Sequence, residues 1–360
     1  MSAERPIAAG PAAAGFRWPA EWEPHAATWL SWPHNLETWP RRLEQAERAF
    51  VEIVAALSPH EEVRINVVGD RMEDRVRARL AARGVEVDRA VRFFQIPTDD
   101  AWVRDHGPIF VVGEGPPGER EVALHDFGFN AWGGKYPPWD RDNAVPAKIA
   151  ELAKVKRFET GWVLEGGSID GNGDGCILTT ESCLLNPNRN RGADGRAVTR
   201  EDVEQVLADT LGATDVVWLA EGIAGDDTDG HIDDIARFVA LDRVVAAVED
   251  DASDTNHHPL QKNFECLQAF RGAQGQAFDV VALPMPPPLV LDGQRCPASY
   301  ANFYLANNVA LVPTFDVPSD TRAIDVLRDC LPGREVIAID SRDLVLGLGA
   351  IHCLTQQLPR

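Results

Sequence analysis

A single cysteine close to the C-terminus, Cys353, has the sequence features of a placed nucleophile. It follows a glycine-spaced apolar run, and this pattern predicts a strand that ends at the cysteine. Far upstream lie two polar segments, residues 230–233 with His231 and residues 99–105 with several carboxylates. A thiolate, a histidine and carboxylates together suit attack on a cationic carbon such as that of a guanidinium. Free cysteine alone is usually a small buried hydrophobe, so only the combination favours catalysis.

The charge and the cysteine spacing narrow the class of protein. The formal net charge of −21 argues against nucleic acid as a partner, because phosphates would be repelled, and it would attract a small cationic substrate. The six cysteines include no Cys-x-x-Cys pair, which indicates neither a disulfide framework nor a zinc site. No apolar run approaches membrane-spanning length. The sequence therefore predicts a cytoplasmic protein with no membrane partner, in which the cysteines other than Cys353 are dispensable for chemistry.

Amphipathic helices alternate with short β-rich segments along the chain. Helical spacing of apolar residues predicts helices over residues 37–57, 70–83, 144–157, 199–211, 259–271 and 319–331. Segments rich in Val, Ile and Phe predict strands over residues 63–68, 91–96, 107–112, 121–126, 214–219, 278–283 and 334–339. Thr199 and Asp202 have the spacing of a helix capping box.

Another kind of segment recurs, in which polar or glycine-rich residues precede an apolar strand. These segments start at Trp102, Glu165, His231, Asn302 and Cys353. Their similar spacing predicts five repeated strand–strand–helix–strand units, which in a ring would bring the five starts to one pocket. No change of composition marks a linker. We therefore expect a flexible tail over residues 1–15, rich in Ala and Pro, and a single α/β catalytic domain over residues 16–360.

The spacing of the polar residues also suggests in which direction their side chains point. His231 and Asp233 are two residues apart and would share one face of a strand. Trp102 and Asp105 are three residues apart and would face oppositely on a regular strand. Both can line one pocket only if that segment is irregular, as the following Gly-Pro pair favours.

Two acidic segments raise the alternative of a metal site. Residues 170–181 match the EF-hand calcium loop at every fixed position, but glycines on one side and Pro187 on the other interrupt the helices that such a loop needs. A glycine-rich hairpin turn is the better interpretation. The aspartate-rich residues 226–234 leave open a metal hydrolase. The chain has no Gly-x-Gly-x-x-Gly or phosphate-binding loop, so nucleotide use is not expected.

Eight segments together resemble one known family. They lie at residues 18–25 (WPAEWEPH), 100–108, 129–136 (FNAWGGKY), 164–169 (LEGGSI), 184–190 (LLNPNRN), 226–233, 297–304 (PASYANFY) and 351–357. They resemble the agmatine deiminase family of the guanidine-modifying penteins, which is related to the bacterial-type peptidyl-arginine deiminases. The resemblance extends from near residue 16 to the C-terminus.

The resemblance implies a fold and a covalent mechanism. The fold would be the pentein, a five-fold pseudosymmetric α/β propeller of repeated strand–strand–helix–strand units. Cys353 would be the nucleophile and His231 the general acid and base. Agmatine would be hydrolysed to N-carbamoylputrescine and ammonia through a thiouronium intermediate on the cysteine. No cofactor and no metal would be needed.

The resemblance also implies which residues hold the substrate. Asp105 and Asp233 would grip the guanidinium, with Glu165 assisting, and Trp102 would line the channel. Asp227 belongs to the acid-rich approach that favours the second positive charge of agmatine. From the residues alone, a salt bridge between Asp105 and its neighbour Arg104 would be the simpler interpretation.

One loop departs from the family pattern. A Gly-Gly-Gly-Asn run typically precedes Ile-His-Cys, but this chain has Gly, Leu348, Gly and Ala350 there. Leucine does not readily take positive φ, so we expect the loop beside Cys353, and the contacts to the substrate tail, to differ.

Other functions remain open at this stage. A deiminase of arginine or peptidyl-arginine would need a basic group for an α-carboxylate or a site for a peptide. A non-catalytic pentein could serve only in binding. The ten tryptophans also leave room for the apolar interface of a homo-oligomer.

Overall fold

Short strands and helices alternate along the part of the chain that the computed structural model describes, residues 10–115, 119–192, 194–273, 275–291 and 293–360. The strands are β1 (His25–Ser31), β2 (Glu62–Asn66), β3 (Val91–Phe94), β4 (Ile109–Glu114), β5 (Arg120–Gly128), β6 (Lys156–Val163), β7 (Ile169–Gly171), β8 (Cys176–Thr180), β9 (Asp215–Leu219), β10 (Ala236–Phe238), β11 (Arg243–Val248), β12 (Asp279–Pro284), β13 (Val290–Leu291), β14 (Gln294–Arg295), β15 (Tyr304–Ala306), β16 (Val309–Thr314), β17 (Glu335–Asp340) and β18 (Gln356–Pro359). The helices are α1 (Leu43–Leu57), α2 (Asp70–Arg83), α3 (Val87–Ala90), α4 (Val103–His106), α5 (Ala131–Gly134), α6 (Asp140–Asn143), α7 (Val145–Ala153), α8 (Glu181–Leu184), α9 (Arg200–Leu211), α10 (His257–Ala269) and α11 (Ser319–Cys330). Turns of 3₁₀ helix lie at Pro11–Ala14, Gly166–Ser168, Ile232–Asp234, Val345–Gly347 and His352–Leu354.

Five mixed sheets repeat one strand pattern. Four of them have the orders β4-β5-β6, β7-β8-β9, β10-β11-β12 and β15-β16-β17, in which the first pair is antiparallel and the second parallel. A helix connects the two parallel strands in each, as a parallel crossover requires. The fifth sheet, β18-β1-β2-β3, follows the pattern with the last strand of the chain in first place. The strand–strand–helix–strand order predicted from the sequence is therefore present in each sheet.

The helix boundaries follow from local residue chemistry. Helix α1 begins at Leu43 instead of the predicted residue 37, because Pro40 disfavours helix before it and Arg41 has a positive φ of 60°. Helix α7 ends at Ala153, four residues before the predicted end, because Lys154 adopts the left-handed conformation and β6 follows. The predicted capping box at the start of α9 is confirmed.

The calcium-like segment is a hairpin turn, as predicted. It joins the antiparallel strands β7 and β8, and Gly173 and Gly175 supply its positive φ angles of 77° and 86°. The Asn172 carboxamide accepts the backbone N–H groups of Asp174 and Cys176. Asp170 accepts hydrogen bonds from Arg237 Nε and from the backbone N–H of Phe238, both at 2.6 Å, so both oxygens of its carboxylate bind protein donors in the core.

Buried apolar side chains fill the space between each sheet and its helices. One such cluster joins α1, α2 and β2 and includes Phe50, Val63 and Leu80, each with no exposed surface. Burial of each such side chain contributes about 1.5–3 kcal/mol to folding. The N-terminal tryptophans Trp29, Trp32 and Trp39 are fully buried and belong to the core.

The N-terminal segment predicted as a flexible tail, residues 1–15, lies only partly within the described residues. Residues 1–9 of the predicted tail lie outside the described residues, while Pro11–Ala14 forms a 3₁₀ turn whose flank, Gly10, packs against α9. Among the helices of the described ranges, none is both long and apolar enough to cross a membrane.

Candidate active site

The five polar segments singled out in the sequence each lie directly before the first strand of a sheet. Trp102 begins α4 ahead of β4, and Glu165 and His231 precede the 3₁₀ turns ahead of β7 and β10. Asn302 lies just before β15, and Cys353 lies in the 3₁₀ turn before β18. The irregular backbone predicted between Trp102 and Asp105 is the short helix α4.

The prediction that Cys353 ends a strand, and that His231 and Asp233 share a strand face, is wrong. Both segments are helical turns, and side chains hold them in that form. Asp226 accepts the backbone N–H groups of residues 230 and 231, which bends the chain at Gly230 (φ 101°). The Asn302 carboxamide oxygen accepts the backbone N–H groups of residues 352 and 353, at 3.0 and 3.4 Å.

These five segments contact one another in sequence around the site. Helix α4 packs against the turns Gly166–Ser168 and His352–Leu354, and Gly166–Ser168 packs against Ile232–Asp234. Asn302 connects the turn Ile232–Asp234 with the turn His352–Leu354, because its amide donates to Asp234 Oδ1 at 3.0 Å and to Cys353 Sγ at 3.1 Å. Residues far apart in sequence are thereby brought together.

The thiol of Cys353 is buried in an acidic environment. Its Sγ lies 3.1 Å from the Asn302 amide nitrogen and 3.5 Å from Asp233 Oδ2. Burial, followed by the charges of Asp233, Asp234 and Asp105, raises the pKa of the Cys353 thiol well above its ordinary value, and the Asn302 amide opposes them. The cysteine is therefore a neutral thiol at neutral pH until a positive charge enters the site.

His231 lies beside Asp105, with His231 Nδ1 3.7 Å from Asp105 Oδ1. Its ring is buried, and the Cys183 thiol is hydrogen-bonded to it. Burial alone would lower the pKa of His231, but Asp105, Cys183 and Glu165 together hold it well above its ordinary value. The imidazolium form is therefore favoured at neutral pH, as a general acid requires.

Two carboxylates face the same space. Asp105 accepts the Gly167 N–H at 2.9 Å and the Trp132 indole N–H at 3.1 Å, and its pKa is raised to about 6 by burial, with Asp233 adding to the effect. Asp233 is also buried, but the hydrogen bond and charge of His352 lower its pKa. Asp233 Oδ1 has no partner among the described residues. This oxygen is free to accept from a cation.

Gly167 is the point at which these groups meet. A Cβ atom built on Gly167 would lie 2.6 Å from His231 Nδ1, 2.8 Å from Asp105 Oδ1 and 3.1 Å from Asp233 Oδ2. Contacts below 3.0 Å essentially never occur for real Cβ atoms, so only glycine allows the three side chains to come this close.

Sequence reasoning gave no role to a buried pair that supports Asp233. His352 Nδ1 lies 2.7 Å from Asp233 Oδ2, and His352 Nε2 lies 2.9 Å from Glu21 Oε2. Glu21 also pairs with Arg104 and Arg237. The segments with these residues were part of the family resemblance, and the histidine adjacent to the nucleophile was the available signal.

Glu165 and Arg104 both pair with residues other than those that the sequence suggested. Glu165 is fully buried and binds Arg189 Nε at 2.6 Å, and it is not part of the cavity wall. Arg104 pairs with Glu21 at 3.3 Å and not with its neighbour Asp105. The carboxylate of Asp105 is thus left for the site.

A cavity of about 830 Å³ opens above Cys353 and Asp105. Its wall carries the aromatic rings of Trp102, Phe129, Trp132, Tyr136 and Trp139 and the carboxylates of Glu37, Asp99, Asp100, Asp142 and Asp227. In the described part of this wall Lys135 is the only lysine or arginine, and its ammonium group binds Asp229 at 2.9 Å and Asp227. The cavity therefore suits a cation with an apolar stem.

The predicted substrate-binding residues Trp102 and Asp227 both lie on this wall. Trp102 is buried and its ring is 5.3 Å from that of Trp39, which holds it in place. Asp227 lies at the rim, and its carboxylate accepts from the Tyr136 hydroxyl and pairs with Lys135. Its negative charge is thus partly compensated by the protein.

The loop before the nucleophile adopts the conformation that its sequence disfavours. Leu348 has a φ of 71°, contrary to the expectation, and its side chain lines the cavity. A left-handed conformation costs a residue with a Cβ about 1–2 kcal/mol. The next residue must be small, because a Cβ on Gly349 would lie 2.5 Å from the Trp102 ring.

Within residues 226–234, the carboxylates of Asp226 and Asp229 are occupied by protein donors. Asp226 accepts from the backbone and hydroxyl of Thr228, in addition to residues 230 and 231. Asp229 accepts from Asn188, Arg189 and Lys135. These bonds give the segment the role of placing His231, and they argue against a metal hydrolase centre built on it.

The chain is similar to known proteins over nearly its whole length. The family model described as Porphyromonas-type peptidyl-arginine deiminase matches residues 17–359. The chain is 39% identical to an agmatine deiminase of Ectopseudomonas mendocina, over 97% of this chain and 97% of that protein. Among solved structures, it is similar to the agmatine deiminase of Enterococcus faecalis, with a TM-score of 0.89, 31% identity and coverage of 99% and 100% of the two chains. It is also similar to a C. jejuni agmatine deiminase variant with substrate bound, with a TM-score of 0.84, 32% identity and 96% coverage of each chain.

Proposed function

Because the chain belongs to the Porphyromonas-type peptidyl-arginine deiminase family and has the α/β fold of the pentein deiminases, we propose that it hydrolyses agmatine to N-carbamoylputrescine and ammonia. One observation carries the proposal. Cys353 and Asp105 line a cavity with an acidic and aromatic wall, and His231 and Asp233 lie beside them. A nucleophile, a proton donor and two carboxylates are the groups that hydrolysis of a guanidinium requires.

Substrate binding begins with the guanidinium between Asp105 and Asp233. Asp233 contributes the unpartnered Oδ1, and Asp105 is held in place by Gly167 and Trp132. Charge-assisted hydrogen bonds to a planar cation are shorter and stronger than neutral ones. The planar group is thereby fixed beside Cys353 Sγ.

The cation also activates the nucleophile. Burial and the charges of three aspartates raise the pKa of the Cys353 thiol, and the guanidinium neutralises two of them, Asp233 and Asp105. Binding therefore lowers the pKa of the thiol, and its proton is released to solvent. The thiolate attacks the guanidinium carbon and forms a C–S bond. The His231 imidazolium gives its proton to one amino group, the C–N bond breaks, and ammonia leaves a thiouronium on the cysteine.

Hydrolysis of this intermediate uses the neutral form of His231. The imidazole accepts a proton from water while the hydroxyl group adds to the thiouronium carbon. The C–S bond then breaks, the urea group of the product forms, and a proton returns to the Cys353 sulfur. Asp105, 3.7 Å from His231, stabilises the imidazolium that reforms.

The cavity wall explains a preference for agmatine over arginine. The α-carboxylate of arginine would lie near several carboxylates of the wall, and the one lysine there already binds Asp229 and Asp227. A free amine would instead find acids and aromatic faces, and the net charge of −21 would attract a dication. Trp102 and Asp227 are proposed to contact the substrate, and Glu165 to act through His231.

We further infer that the five mixed sheets surround one axis as a five-fold pseudosymmetric propeller. The inference is supported by the contacts that join α4, Gly166–Ser168, Ile232–Asp234, Asn302 and His352–Leu354 in a closed series. The catalytic domain is proposed to span residues 16–360, since the site draws on residues from Glu21 to Cys353.

The direct test is ammonia release from agmatine, free arginine and an arginine-containing peptide, measured in parallel. We expect kcat/KM for agmatine to exceed that for arginine by more than roughly a hundredfold, about 2.7 kcal/mol, and to survive dialysis against EDTA. Equal or faster turnover of arginine or the peptide would overturn the substrate assignment. Binding of agmatine without ammonia release would favour a non-catalytic pentein.

A further inference from the structure

A second cluster of chemically reactive groups lies around His231, outside the wall of the cavity. A carboxylate oxygen of Glu165, Sγ of Cys183 and a ring nitrogen of His231 all lie within 4.8 Å of one another. The three residues come from the starts of two 3₁₀ turns and from α8, and each side chain has almost no exposed surface. In the proposed mechanism His231 transfers protons, Glu165 acts only through His231, and Cys183 has no role.

The cluster has unused capacity to bind a ligand. Oε2 of Glu165 is buried and has no hydrogen-bond partner among the described residues, while the Cys183 thiol is hydrogen-bonded to the His231 ring. Buried polar atoms are nearly always satisfied, so an unsatisfied carboxylate oxygen beside a thiol and an imidazole indicates an absent partner. The other oxygen of Glu165 is bound to Arg189 Nε at 2.6 Å, which fixes the carboxylate and leaves Oε2 free.

We propose that Glu165, Cys183 and His231 form a binding site for a borderline-soft divalent cation such as Zn²⁺. One thiolate, one imidazole and one carboxylate form a ligand set that zinc accepts, whereas calcium and magnesium prefer oxygen ligands alone. Tetrahedral zinc with bonds of about 2.0–2.3 Å needs ligand atoms roughly 3.3–3.8 Å apart. The three side chains are close enough to reach this geometry through small rotations, and a water molecule completes the fourth position.

Occupation of this site inhibits the enzyme. A cation bound to His231 takes the ring nitrogen that the reaction needs for proton transfer, while Cys353 stays free. Zinc here is an inhibitor and not a cofactor. The inhibition rests on the proposed deiminase function, whereas the binding of the metal does not.

Cobalt(II) tests the binding separately from activity, because tetrahedral cobalt thiolates absorb light strongly. The experiment compares the Cys353→Ser variant with the double variant Cys353→Ser/Cys183→Ser, which differ only at the second cysteine. We expect one cobalt per chain and a thiolate absorption band in the first protein and neither in the second. The same band in both proteins, or in neither, would overturn the proposal. Circular dichroism of each protein verifies that it is folded, and Glu165→Gln, which should weaken cobalt binding at least tenfold, serves as an independent variant at the site.

Inhibition is tested by zinc titration of agmatine turnover, with each protein compared with its own rate without metal. We expect Cys183→Ser to raise the zinc concentration for half-inhibition at least tenfold, while Cys266→Ser, at an exposed cysteine, leaves it unchanged. Unchanged inhibition in Cys183→Ser would place the inhibitory ion at Cys353 and refute the proposal, as would a wild-type enzyme that zinc does not inhibit. If the chain does not hydrolyse agmatine at all, the cobalt comparison still decides whether the site exists.

Discussion

Substitution of Gly167 by alanine should disable the active site although the residue itself carries no reactive group. The new Cβ would lie 2.6 Å from His231 Nδ1 and 2.8 Å from Asp105 Oδ1. Both atoms, or the backbone at residue 167, must move by about half an ångström or more to restore ordinary contact distances near 3.4 Å. The N–H of residue 167 also donates to Asp105, so a backbone shift would disturb the same carboxylate.

The expected loss of rate in Gly167→Ala follows from the small displacement that catalytic side chains tolerate. Catalytic groups tolerate displacements of about 0.5 Å, and a misplacement of 1 Å can lower the rate about a hundredfold. We therefore expect Gly167→Ala to lower kcat at least about 100-fold, equivalent to about 2.7 kcal/mol, with a smaller effect on KM. The assay is steady-state ammonia release from agmatine, with thermal unfolding to verify the fold.

Gly128→Ala is the matched control, because its Cβ would lie 3.4 Å or more from the nearest atoms. This variant should retain wild-type kinetics. A folded Gly167→Ala protein with kcat within threefold of the wild-type value would refute the close convergence of His231, Asp105 and Asp233.

Three further predictions follow from the site. Asp105→Asn and Asp233→Asn should each lower kcat/KM by about 30- to 150-fold, or 2–3 kcal/mol, because each removes a charge from the guanidinium site; wild-type kinetics in both would place the cation elsewhere. Burial raises the pKa of Asp142 to about 7, so the folded state retains a proton that the unfolded chain loses near pH 4, and this contribution to stability is lost as pH rises towards 7. Asp142→Asn should therefore gain on the order of 2 kcal/mol relative to wild type between pH 5 and 8 in urea unfolding, and a pH-independent difference would contradict that pKa. Leu348→Gly should leave the free energy of unfolding within about 1 kcal/mol of wild type, because relief of the strained φ offsets the added entropy of the unfolded chain. The same variant should change KM for agmatine, since the leucine side chain lines the cavity. An unchanged KM would show that this side chain does not contact the substrate.

Local signals explain which parts of the fold were predictable. Helix α2 has the predicted bounds, residues 70–83, because Gly84 with its positive φ of 92° ends the amphipathic run. Each of the seven strands predicted from segments rich in Val, Ile and Phe also lies within two residues of an observed one, since alternating or continuous Val and Ile residues mark buried strands. The start of α1 was missed because the positive φ of Arg41 is not indicated by its residue type.

Contacts between residues that are far apart in the sequence explain which features of the site could not be predicted. The helical turn at Cys353 depends on the carboxamide of Asn302, 51 residues earlier, so local periodicity wrongly predicted a strand. The support of Asp233 by His352 and Glu21 joins residues that are 119 and 331 positions apart. The burial of Cys183 and Glu165 beside His231 likewise arises only when separate units pack together.

The covalent step is tested most directly by mass spectrometry of enzyme that is mixed with agmatine and quenched in acid within one turnover. We expect a transient adduct on the peptide with Cys353, with the mass of agmatine less one ammonia, and we expect Cys353→Ser to lose both the adduct and nearly all turnover. Because His231 both protonates the departing ammonia and activates water, its replacement by glutamine should slow the formation as well as the hydrolysis of the adduct and lower turnover. Turnover without any adduct, or an adduct on another cysteine, would contradict the assignment of Cys353 as the nucleophile.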